Sequence, residues 1–187
     1  MRSLHRRDVL AGLLALGAVA CMPKTAPVKL DKAVKVRLAG VLSGQEDGVS
    51  GLPDGVDRRL NKALEARGFS VDALAGKDLE AAMTRQRDSG RRVAWLADNA
   101  AGSEAVMLVE VAAFYDTQIQ GRMRWTVRAT LSIAPADAPE DAMRREVDTA
   151  VFLQFLHQRE AEAALEAATT IERAAARLLD DWVRAQG

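Results

Sequence analysis

Between residues 122 and 133 polar and apolar positions alternate without exception. Met123, Trp125, Val127, Ala129, Leu131 and Ile133 fall on one side, and Arg122, Arg124, Thr126, Arg128, Thr130 and Ser132 on the other. A period of two predicts a strand with one face on the core and one face wet. Upstream, AVMLVEVAAFY from Ala105 to Tyr115 is apolar on both faces except at Glu110, as expected of a central strand, and Gln118 to Gly121 supply the turn between the two. Val34, Val36 and Leu38 alternate with Lys35, Arg37 and Ala39, which predicts a first strand ending near Leu42; Phe69, Val71 and Ala73 or Leu74 predict a short second one. Residues 143–156 carry two periods at once. Val147, Thr149, Val151 and Leu153 have strand spacing, whereas Met143, Val147 and Val151 stand four apart as on a helix. Branched side chains lose rotamer freedom inside a helix, so a strand is expected.

Helical spacing takes over elsewhere. Asp54 or Gly55 caps a segment whose apolar face is Val56, Leu60, Ala63 and Leu64, and Arg67-Gly68 stops it with glycine just past the last turn. Asp78 to about Arg87 forms a second helix with Leu79, Ala82 and Met83 inward, and Arg91 to Asn99 a third with Val93, Leu96 and Ala97 inward. Ala161, Ala164, Leu165, Ala168, Ile171, Ala175, Leu178, Leu179 and Trp182 trace one stripe of a long C-terminal helix reaching about Arg184. Residues 43–55, with Gly44, Gly48, Gly51, Gly55 and Pro53, read as an exposed loop. The order is β-α-β-α-α-β-β-β-α. These faces are most simply buried in an α+β fold, a mostly antiparallel sheet of about five strands packed by helices, forming one domain over residues 34–187.

Composition narrows the function classes. The 187 residues contain 26 Lys+Arg and 26 Asp+Glu, so the basic footprint of a nucleic-acid binder is missing. Charged residues make up 28% of the chain and are spread evenly, unlike a multi-span membrane protein. The chain has one cysteine and two histidines, which leaves no disulfide framework and no multi-cysteine metal site.

That single cysteine ends a secretory signal. Arg2, His5, Arg6 and Arg7 precede an uncharged run from Val9 to Ala20, and the run closes in Ala18-Val19-Ala20-Cys21. Twelve helical residues span only about 18 Å, short of a hydrocarbon core of about 30 Å, so the run is too short to cross. Ala18-Val19-Ala20-Cys21 resembles the lipobox of bacterial lipoproteins, in which cleavage before the cysteine leaves a diacylglycerol on its sulfur. The resemblance implies a signal peptide over residues 1–20, a lipid on Cys21 and a tether over residues 21–33, where MPKTAPVKLDKA has two prolines and no periodicity. Arg6-Arg7-Asp8-Val9-Leu10 is similar to the twin-arginine export motif, although His5 and Val9 depart from it. The alternative is the positive flank of a general secretory signal; export is expected on either route. Met22 stands where inner-membrane lipoproteins of enterobacteria commonly carry Asp, which favours the outer membrane. Removing residues 1–20 takes away Arg2, Arg6, Arg7 and Asp8 and leaves 23 basic and 25 acidic side chains, a mature charge of −2.

Reactive chemistry has few candidates. Gly76-Lys77 lacks the upstream glycine of a phosphate loop, because Val71 stands there, and neither Ser43 nor Ser50 completes Gly-x-Ser-x-Gly. His157, the one histidine left after signal removal, reads as a solvated junction residue rather than a base. Glu110 is the carboxylate to explain, since an unpaired charge in an apolar strand is costly. A hairpin centred near residue 119 sets it opposite Arg128, with Arg124 two pairs along, and predicts a cross-strand ion pair rather than a general base. Arg85, Arg87, Arg91 and Arg92 form a local basic cluster, read as solvated helix ends. No catalytic residue, metal site or cofactor is expected.

The helix LNKALEARGF with its following strand, the step AGSEAVMLVEVAAF, the strand MRWTVRATLSI and the final helix ending in LLDDW resemble, over about 130 residues, a group of envelope lipoproteins. The group shares the fold of the TolB amino-terminal domain, the curli-secretion lipoproteins and the activators of penicillin-binding proteins. The resemblance implies a non-catalytic lipoprotein held to the membrane by its N-terminal lipid, docking on another envelope protein through a sheet edge or the loop 43–55. An outer-membrane assembly subunit partnering a β-barrel, and a hydrolase of envelope polymers, are the alternatives.

Overall fold

The computed structural model of the chain describes residues 26–44, 49–74, 79, 88–155 and 157–186. Signal residues Arg6 and Arg7, together with Cys21, lie outside these. So does the expected helix from Asp78 to Arg87, apart from Leu79, which is buried.

The strands are β1 (Val34–Ser43), β2 (Val49–Gly51), β3 (Phe69–Leu74), β4 (Ala105–Ile119), β5 (Arg122–Pro135) and β6 (Met143–Leu153). They form one sheet in the order β2-β1-β4-β5-β6, with β3 also on β1. β4, β5 and β6 make an antiparallel meander, whereas β1 runs parallel to both β3 and β4. The sheet is thus mixed, though mostly antiparallel. Its sixth strand comes from the glycine-rich loop, where Val49, Ser50 and Gly51 pair antiparallel with Ser43, Leu42 and Val41. Residues 143–153 are a strand, as their branched side chains require.

Helices cover the two sheet faces unequally. α1 (Asp54–Glu65), α3 (Glu160–Glu166) and α4 (Ala168–Gln186) bury one face over Val36, Leu38, Met107, Val109, Val127, Ala129 and Leu131. α2 (Ser89–Asp98) covers part of the other, where Val93 and Leu96 meet Ala39, Val41, Val106, Leu108 and Ala134. The C-terminal stripe is therefore one apolar face on two helices. Between them the N–H of Ala167 still bonds Ala163 at 3.1 Å, but that of Thr170 reaches back only to Ala167, at 2.9 Å, and the tightened turn breaks the helix. Alanines 163, 164, 168, 174 and 175 bring both helices close to the strands, and Trp182 packs on Phe69 with ring centroids 5.5 Å apart.

Part of the segment read as tether is tied to the domain. The N–H of Val28 donates to Asp180 Oδ1 at 3.2 Å, and that of Leu30 to the carbonyl of Arg67 at 3.0 Å. Buried Arg67 donates to the same Asp180 oxygen at 2.8 Å and to the carbonyl of Ala63 at 2.8 Å, so one guanidinium joins the end of α1, the end of α4 and the entering chain. Arg67→Ala should cost about 1.5–3 kcal/mol in urea unfolding, the range for losing hydrogen bonds to a charged group.

Asp57, in the first part of α1, has a carboxyl pushed above its usual range by burial and by the nearby charge of Asp54. The helix N-terminus favours a negative charge, but here desolvation prevails. A carboxyl whose folded value is raised penalises the folded state once ionised. Asp57→Asn should therefore stabilise the protein at neutral pH, and the gain should vanish as the pH falls below about 3.9, the unfolded value. Paired urea titrations at pH 7 and pH 3 measure the difference.

Candidate functional site

Glu110 sits where the sheet passes under α2. Its carboxylate accepts from Ser89 Oγ at 2.5 Å and pairs with Arg92, both from the first turn of that helix. Asp88 caps α2 by accepting from the N–H of Arg91 at 3.0 Å, which sets the helix start and the direction of Ser89 and Arg92. The predicted partners lie elsewhere: Arg128 pairs with Asp148 at 2.9 Å and Arg124 with Asp116 at 3.8 Å. The shared sheet face was right, the register was not. Gln120 and Gly121 both have positive φ, at 50° and 79°, so the turn is a two-residue type centred beyond residue 119. A bulge between Tyr115 and Thr117 then sets Glu110 opposite Thr130, and Arg128 opposite Ala112.

The other polar candidates form pairs too. Asp148 raises the pKa of Arg128 by hydrogen bond and charge. On β3, desolvation raises the Asp72 carboxyl, but Arg37 at 2.8 Å and Lys35 at 3.4 Å outweigh it and hold the carboxyl below its usual range. His157 is exposed and stacks on Phe155, ring centroids 5.6 Å apart. Arg91 pairs with Asp88 at 3.3 Å, while Arg85 and Arg87 lie outside the described residues. Among the described residues no group of three or more His, Cys, Asp or Glu is placed to hold a metal ion, and no helix is long and apolar enough to cross a membrane.

Large apolar side chains remain exposed at one end of the sheet. Opposed residues share a face, so Phe114 opposite Thr126, Ile119 opposite Arg122 and Phe152 opposite Arg124 all lie on the face where α2 packs on Ala39, Val41, Val106, Leu108 and Ala134. Phe114 and Phe152 are 38% and 46% exposed. On the other face Tyr115 meets the buried Trp125 edge to face at 5.8 Å and is itself exposed, and past β6 Phe155 is 56% exposed. These aromatic residues surround the far ends of β4, β5 and β6. Val28, Arg67 and Asp180 sit at the opposite end, beside the starts of β1 and β3, where the N–H of Val34 bonds the carbonyl of Gly68.

No family model matches the chain, and no curated protein matches its sequence. Solved structures do resemble it. The hypothetical protein CT253 from Chlamydia trachomatis aligns over 82% of this chain and 99% of its own, with 8% identity and a TM-score of 0.47. Lipoprotein GNA1162 from Neisseria meningitidis aligns over 76% and 98%, with 12% identity and a TM-score of 0.41. The rare lipoprotein B from Shewanella oneidensis aligns over 80% and 96%, with 9% identity and a TM-score of 0.34. The last two are lipoproteins by name.

Sequence reasoning overlooked the exposed end. A signal was present, since Phe152 interrupts the polar side of β6 that Arg144, Glu146 and Asp148 otherwise form. A large aromatic at a position destined for water is more telling than another apolar residue in a core stripe.

Proposed function

We propose that this is a bacterial lipoprotein, anchored through a lipid on Cys21, that works without catalysis by docking on another envelope protein. The supporting observation is its two-ended organisation: the chain enters beside Arg67 and Asp180, and the exposed aromatic residues cluster at the other end of the sheet. Seven residue steps separate Cys21 from Val28, which bounds the anchor to within about 25 Å of the domain, at about 3.6 Å per residue. A domain held that close presents its far end to the periplasm. Exposed Phe114, Ile119, Phe152 and Phe155 there suit a protein surface, because aromatic anchors dominate the buried centres of interfaces. Met22 after the cysteine favours the outer membrane. Glu110, the carboxylate with most claim to acid–base work, is held by Arg92 and Ser89, which fits an adaptor better than a hydrolase.

Photo-crosslinking in cells tests this directly. A photoreactive residue at position 152 or 114 should trap one recurrent envelope protein. The same residue at solvated Gln186, which lies away from this end, should not trap that protein. Uniform absence of adducts at 114, 119, 152 and 155 in the lipidated, membrane-bound protein would overturn docking through this end.

A further inference from the structure

We infer that the outer edge of β6 takes an added strand: an extended segment of the partner protein carrying acidic side chains at alternate positions. This rests on the adaptor function above and specifies the chemistry of what is bound. β5 pairs with one edge of β6 from Met143 through Leu153, and no described strand pairs with the other. An open strand edge offers a row of unpaired N–H and C=O groups, and proteins blunt such edges with proline, bulges, charged or inward-pointing charged side chains, or a covering element. The eleven residues MRREVDTAVFL have no proline and no glycine, and their pairing with β5 runs without a register shift. This edge is straight, and its charges, Arg144, Arg145, Glu146 and Asp148, restrict rather than abolish what can pair with it.

Its charge selects the occupant. Between the edge and α4 runs a groove of about 240 Å³, lined by Arg145, Glu146 and Val147 of β6 and by Thr170, Arg173 and Arg177 of α4. Arg145 is tied to Asp181 at 2.8 Å through one terminal nitrogen, while its buried Nε has no acceptor. Arg173 and Arg177 are exposed and have no acidic partner among the described residues. Glu146 is the one carboxylate on the lining, and alternation places it on the opposite sheet face from Arg145 and Val147. The groove therefore holds uncompensated positive charge beside an unpaired backbone.

Spacing matches the two requirements. Arg173 and Arg177 are one helical turn apart, about 6 Å along α4. Side chains on one face of an added strand repeat every two residues, about 6.8 Å. Carboxylates at i and i+2 of the incoming segment can thus face the two guanidinium groups while its backbone pairs with β6, the mode of strand-adding recognition domains. An anionic lipid headgroup could answer the arginines but leaves the strand edge unpaired. A second copy answers the edge but not the charge, because the groove-side residues of its own β6 are Met143, Arg145, Val147, Thr149, Val151 and Leu153, with no carboxylate among them.

The test uses the full-length protein in detergent and blocked eight-residue peptides alternating Glu with Val. The alternating peptide should bind, and its Lys-for-Glu counterpart should not. Arg173→Glu with Arg177→Glu, both exposed and remote from the core, should weaken binding at least about tenfold. Two further peptides carry N-methyl groups on alternate amides, one on the odd and one on the even positions. In strand addition only one of these sets faces β6, so one methylated peptide should bind as the parent does and the other should lose binding. Equal binding of both overturns strand addition and leaves charge attraction alone. Failure of every peptide, binding only to anionic vesicles, or self-association of the protein that the double Arg→Glu variant abolishes also overturns it. If the peptides fail while position 152 still crosslinks an envelope protein, the adaptor function stands and only the strand-edge mode falls.

Discussion

Cys21→Ser should move the protein from the membrane fraction to the soluble fraction, the largest change expected of any single substitution in the chain. Transfer of acyl chains into a bilayer is worth about 0.8 kcal/mol per methylene, and one chain alone gives only marginal, reversible binding. The two chains proposed on the Cys21 sulfur would hold the protein stably; without them the domain proposed to begin at Cys21 has a formal charge of −2 and no described helix able to span. Fractionation after cell lysis, with carbonate washing to strip peripheral proteins, reads the result. Retention of Cys21→Ser in the washed membrane would mean that something other than the lipid anchors it. The fold should not change, because Val28 and Leu30 supply the first described contacts between the entering chain and the domain. Urea unfolding of the released variant should match that of the parent. Arg6→Lys with Arg7→Lys keeps the positive charge of the signal but removes the arginine pair, and so separates the two export routes: arrest assigns the twin-arginine route, and undiminished export the general one.

Where local pattern decides structure, the sequence was readable. Strict alternation from Arg122 to Ile133 is β5, the face Val56-Leu60-Ala63-Leu64 is the buried face of α1, and Val147, Thr149 and Val151 made residues 143–153 a strand against a competing helical period. Long-range partnership was less readable. Nothing local in Val34–Ser43 says that it lies parallel to both β3 and β4, since the same alternation serves either direction of pairing. Register depended on where the turn centres, and the later turn together with the bulge between Tyr115 and Thr117 moved the residue facing Glu110 from Arg128 to Thr130. The break at Ala167 carries no proline or glycine to announce it. Of the exposed aromatic residues, Phe152 was visible on the otherwise mostly polar side of β6, whereas Phe114 stood in a run apolar on both faces. The groove beside β6 was not visible, because Arg145 and the pair Arg173 and Arg177 meet only when α4 folds back across the sheet.

Glu110→Ala should destabilise the domain by about 3 kcal/mol, the cost of removing one partner of a largely buried ion pair. Side chains of Glu110 and Arg92 are 14% and 22% exposed, so neither charge recovers full hydration when its partner is lost. The same substitution leaves the Ser89 hydroxyl without the acceptor at 2.5 Å. In a chain of this size the loss corresponds to a melting point lower by about 6–12 °C. Glu110→Gln retains an acceptor for Ser89 and should cost less. The informative variant is the double one, Glu110→Leu with Arg92→Leu, which removes both charges and adds apolar surface where Val106 and Leu108 already pack under α2. Replacing a buried pair by apolar residues of similar volume is often neutral or stabilising, so the double variant should recover most of what Glu110→Ala loses. Its crosslinks at position 152 should be unchanged, since Glu110 lies under α2 and Phe152 on the part of that face α2 leaves open. A double variant as unstable as Glu110→Ala would mean that the pair does more than cancel charge, for instance by fixing the angle at which α2 crosses the sheet. Lost crosslinks in a fully folded double variant would instead make Glu110 and Arg92 part of the docking surface itself.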